Sequence, residues 1–65
     1  RNCKDILKEL DSDNFIQCNR GTIVNRAFIN SIDLVNRIIT LKNNYGILEI
    51  STKMKKNFME KMNDD

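Results

Sequence analysis

The stretch from Thr22 to Lys42, TIVNRAFINSIDLVNRIITLK, is the longest periodic segment in the chain and constrains its fold more than any other. At 3.6 residues per turn, Ile23, Val24, Ala27, Phe28, Ile32, Leu34, Val35, Ile38, Ile39 and Leu41 gather on one half of a helical wheel. Asn25, Arg26, Asn30, Asp33, Asn36, Arg37, Thr40 and Asn43 fill the other half, with Ser31 and Ile29 out of place. The spacing predicts a long central amphipathic helix. An apolar arc of that width wants two neighbours, such as a sheet plus a second helix or another subunit.

The flanking segments are shorter. Asn2 to Leu10 reads as a first helix, with Asn2 as N-cap, Asp5 in the first turn and Cys3, Ile6, Leu7 and Leu10 as a narrow stripe. Asp11-Ser12-Asp13 ends it, because these side chains bond their own backbone rather than continue a helix. Asn14 to Arg20 alternates as a strand, Gly21 turns the chain and Thr22 caps the central helix. Gly46 stops that helix, Gly46 to Thr52 reads as a second strand, and Met54, Phe58 and Met62 give helical spacing to Thr52–Asn63. The expected fold class is therefore α/β, in the order α–β–α–β–α. A helical crossover would make the two strands parallel and the connection right-handed. Two strands alone make a poor sheet. The alternative is a small helical bundle.

Sixty-five residues fit a single small domain, or a fragment of a larger one. A chain this short buries only about 60% of its unfolded surface. The expectation is that it leans on a partner, a disulfide or further sequence, and Arg1 as first residue fits trimming or processing. No apolar run approaches the ~20 residues of a membrane span. The net charge of +2 and pI near 8.7 are mildly basic, well short of a DNA-wrapping protein. Cys3 and Cys18 read first as buried thiols in a reduced, intracellular setting, then as a disulfide in a secreted, disulfide-stabilised fragment, and last as reactive cysteines. Their spacing matches no zinc motif, and without histidine the ligands are too few.

Catalysis has little to work with. The usual base near neutral pH, histidine, is absent. Asp11 with Asp13 and Asp64 with Asp65 lack an apolar setting that would split their pKa values. Ser12, Ser31 and Ser51 lack a nucleophile elbow, and two glycines cannot build a phosphate loop. The chain reads as a non-enzyme with no cofactor, metal or small-molecule substrate.

Binding remains. The first reading is docking to another protein, or self-association, through Phe28, Ile32, Val35 and Ile39 of the central helix with Met54, Phe58 and Met62. The second is contact with RNA or DNA phosphates through Arg20, Arg26 and Arg37, flanked by Asn25, Asn30 and Asn36. Plain surface competes with it, since Arg26 with Asp33 or Asn30, and Arg37 with Asp33, would be ordinary helix neighbours. Lys53, Lys55, Lys56 and Lys61 read as a solvated helix face.

The segments NFIQCNRG, NRAFINSIDLVNRI and GILEIST, from about Cys3 to Thr52, resemble the middle of the Alba fold, shared by archaeal chromatin proteins and small subunits of RNase P and RNase MRP. The resemblance implies an α/β fold and nucleic-acid binding. It also implies a contact by the strand-ending arginine, which by position is Arg20.

Overall fold

The computed structural model describes residues 5–6 and 13–63. β1 (Phe15–Asn19) and β2 (Thr22–Asn25) form an antiparallel hairpin, and β3 (Ile29–Asp33), β4 (Ile38–Leu41) and β5 (Ile47–Glu49) form an antiparallel sheet in that order. Short turns of 3-10 helix at Arg26–Phe28 and Lys42–Asn44 link β2 to β3 and β4 to β5. A C-terminal helix, Lys55–Met62, closes the described chain.

The central helix is not formed. Thr22–Lys42 instead makes β2, β3 and β4. Nine of its 21 residues are β-branched, which favours a pleated surface over a helix. Two polar side chains break it further. Asn25 Oδ1 accepts from the Ala27 N–H at 2.9 Å and Asp33 Oδ1 from the Asn36 N–H at 3.0 Å, local bonds that start turns where a helix would continue. The α/β expectation, its helical-bundle alternative and the Alba-like arrangement all fall with that helix. The parallel crossover falls too, because every described strand pair is antiparallel.

The flanking expectations fared differently. Asn14–Arg20 contains β1, Gly46–Thr52 contains β5 and Thr52–Asn63 contains the C-terminal helix. Asp5 and Ile6 are helical, while the rest of the expected first helix and Cys3 lie outside the described residues.

Apolar side chains from both sheets meet under the C-terminal helix. Ile16 and Cys18 alternate inward along β1, and Val24 pairs with Ile16 across the hairpin. Ile39 lies between Ile32 and Leu48, its cross-strand partners. Ile50 and Phe58 complete the buried cluster, with Ile29, Ile32, Leu41, Leu48, Met59 and Met62 packed around it. The two sheets are stitched where β1 meets the end of β5. The Ser51 N–H donates to Cys18 O at 2.9 Å, and Asn19 Nδ2 donates to Glu49 O at 2.8 Å.

Candidate nucleic-acid interface

The β1–β2 turn is built by Asn19, whose Oδ1 accepts from the Gly21 N–H at 3.0 Å in an Asx turn. The register slips at Cys18, so the bulge increases the local twist just before the turn. Arg20 sits at its tip, exposed. Gln17 reaches along the strand and donates from Nε2 to Arg20 O at 3.3 Å.

Gln17 also lines a shallow cleft of about 550 Å³ with Lys53, Met54, Lys56, Asn57 and Glu60. The connection into the helix is fixed by Ser51, whose Oγ accepts from the Met54 N–H at 3.1 Å. Lys53, Lys55 and Lys56 then stand at the start of a helix with no acidic residue in its first turn. A helix N-terminus carries partial positive charge, so cations there are disfavoured until an anion joins them. Among the described residues Glu60 is the one carboxylate on the cleft wall. The cleft therefore combines amides that can bond bases or sugars with lysines that can take phosphate.

The β3–β4 turn lies at the same end. It spans the four residues between the paired Asp33 and Ile38. Arg37 adopts φ 57°, a left-handed conformation that costs a β-carbon-bearing residue about 1–2 kcal/mol. Two bonds to Ile50 offset that cost: the Ile50 N–H donates to Arg37 O at 2.8 Å and Arg37 Nη1 donates to Ile50 O at 3.1 Å. The Asp33 carboxylate lies below its ordinary pKa, chiefly through the Asn36 backbone N–H and then the Asn36 amide at 2.9 Å.

The three expected arginines thus occupy different settings. Arg20 is exposed at a turn tip. Arg37 is half-buried and bound to Ile50. Arg26 lies at the far end of the C-terminal helix, where Nη2 donates to Lys61 O at 2.6 Å and the helix dipole favours a cation. Among the residues expected to dock a protein, Ile39 and Phe58 are buried in the core, Ile32, Met54 and Met62 are half-buried, and Phe28 and Val35 are exposed. The continuous helical face that would have joined them does not exist. Cys18 is buried; its pairing with Cys3 lies outside the described residues.

Gln17 and Asn57 line the cleft without being singled out by the sequence, whereas Lys53 and Lys56 read there as a solvated helix face. A readable signal was there, in lysines crowding a helix start with no acid beside them. Among the described residues no acidic, histidine or cysteine group is arranged to hold a metal, and no helix is long and apolar enough to cross a membrane.

A family model, the LytTr DNA-binding domain, matches residues 1–63. It is a different family from the Alba fold, whose resemblance rested on a long helix the chain does not form. No curated protein and no solved structure matches the chain.

Proposed function

The chain belongs to the LytTR DNA-binding domain family, and from that premise we propose that it grips duplex DNA with the Arg20 turn and the adjoining cleft. Arg20, Lys53 and Lys56 take phosphates, while Gln17 and Asn57 face sugar and base edges. Membership of a DNA-binding family replaces protein docking as the leading reading and fits a non-enzyme.

The observation that carries the mapping is the crowding of Lys53, Lys55 and Lys56 at an acid-free helix start beside an exposed arginine turn. Isolated, that arrangement sets like charges against the helix dipole. A phosphate reverses the sign of the interaction, so the site gains more from an anion than scattered surface lysines do. Arg26 and Arg37 serve the fold first, because each guanidinium holds a backbone carbonyl.

The test is a fluorescence-anisotropy titration of the whole chain against a labelled duplex at several salt concentrations. Three phosphate contacts give log K a slope against log salt of about −2.7, and losing one reduces its magnitude by about 0.9. Arg20→Gln and Lys53→Gln are each expected to lower the slope by that step. Unchanged slopes in both variants would place the interface elsewhere.

A further inference from the structure

The β3–β4 turn presents two aliphatic side chains to solvent: Val35 is 89% exposed and Leu34 40%. Turns in general favour Gly, Pro, Asn, Asp and Ser, so an exposed aliphatic pair at a turn tip departs from the usual chemistry. This one is also held firmly. Asn36 is bonded to Asp33 through both its backbone N–H and its amide, and Arg37 is tied to Ile50 in both directions. A rigid mount loses little freedom when its tip is buried by a partner.

Its position follows from the same bonds. Arg37 is bonded to Ile50, and the residues on either side of Ile50 bond β1, with Glu49 O accepting from Asn19 and the Ser51 N–H donating to Cys18 O. The Arg20 turn begins one residue after Asn19, and Lys53 follows Ser51 by two. Three connections therefore converge at one end of the molecule: the Arg20 turn, the Leu34–Arg37 turn and the lead into the C-terminal helix. The Lys42–Gly46 connection lies at the opposite end of β4.

Resting on the DNA-binding reading above, we propose that the Leu34–Val35 tip reads sequence, with Val35 packing against the C5-methyl of a thymine in the major groove. The charges around the tip exclude a phosphate role. The Arg37 guanidinium is taken up by the Ile50 carbonyl, and the nearby carboxylates of Asp33 and Glu49 repel the backbone. What remains to offer is a small, fixed aliphatic surface. The thymine methyl is the apolar feature that the major groove presents to it. Arg20 and Lys53 hold the phosphates alongside, and Val35 settles which base lies between them.

The test selects duplexes from a randomised library with the whole chain, then replaces each thymine of the selected duplex by uracil in turn. One replacement is expected to weaken binding about fourfold, the effect of one buried methyl group. Val35→Asn, an exposed change suited to a turn, should weaken binding to the thymine duplex by a similar factor and erase the thymine-over-uracil preference. It should leave the salt slope as in the wild type, because no phosphate contact is lost. The proposal is overturned if no thymine replacement matters, if Val35→Asn keeps the preference, or if it alters only self-association. Were the whole domain to bind no duplex, the salt titration would already have shown it, so failure of the tip and failure of the DNA-binding reading are told apart.

Discussion

Phe58 separates this fold from a partner-docking helix in a single substitution. Its ring is 0% exposed and enters the cluster of Ile16, Cys18, Val24, Ile39 and Ile50, joining the C-terminal helix to both sheets. Truncating a buried Phe to Ala costs about 3–5 kcal/mol, from lost transfer energy and the cavity left behind. An unaided core in a chain of this size supplies about 3–5 kcal/mol in total. Phe58→Ala is therefore expected to leave the chain largely unfolded at 25 °C. Phe58→Leu keeps most of the apolar volume and should cost about 1.5 kcal/mol. Urea titrations followed by circular dichroism measure both. The exposed change Val35→Ala serves as control and should fall within about 0.5 kcal/mol of wild type. A Phe58→Ala midpoint as close to wild type as that control would instead make Phe58 an exposed docking side chain and not part of the core.

Two further outcomes follow from the β3–β4 turn. Arg37→Ala keeps the left-handed backbone cost and loses the bond to Ile50 O, so it should destabilise by about 1–2 kcal/mol, whereas Arg37→Gly relieves the backbone and should recover about 1 kcal/mol of that loss in the urea midpoint. Equal stabilities for the two would mean that the turn is not left-handed at this residue. For Asp33 the folded carboxyl pKa is depressed, so its contribution is present above the unfolded value of about 3.9 and is lost as pH falls through the folded one. Proton NMR of the Asn36 amide should accordingly move upfield in strong acid and hold steady from neutral pH down to about pH 5; a midpoint at or above the ordinary carboxylate value would contradict the bonding.

The parts of the fold legible in the sequence were those where one period dominates. Ile16 and Cys18 alternate cleanly in β1, and Met54, Phe58 and Met62 space themselves as a helix. The central stretch misleads for a physical reason. Its strands are four or five residues long, the register slips near Asn30, and the apolar residues of β2, β3 and β4 fall by spacing onto a helical arc. Chain stiffness decides between the periods: Ile23, Val24, Ile29, Ile32, Ile38 and Ile39 are β-branched, and Asn25 and Asp33 sit where the strands end. In the candidate site, Arg20 was visible as a strand-ending Arg-Gly. Gln17 and Asn57 were not, because their shared cleft exists only once β1 and the C-terminal helix pack together.

The most direct measurement is a titration of the isotopically labelled chain with duplex DNA, followed by amide proton–nitrogen NMR. Saturable shifts are expected at Asn19–Gly21, Leu34–Arg37 and Ser51–Asn57, with the end of the molecule at Phe28 and Tyr45–Ile47 unmoved. Shifts concentrated instead on Phe28, Tyr45 and Ile47, or no saturable change at low salt, would contradict the proposed interface.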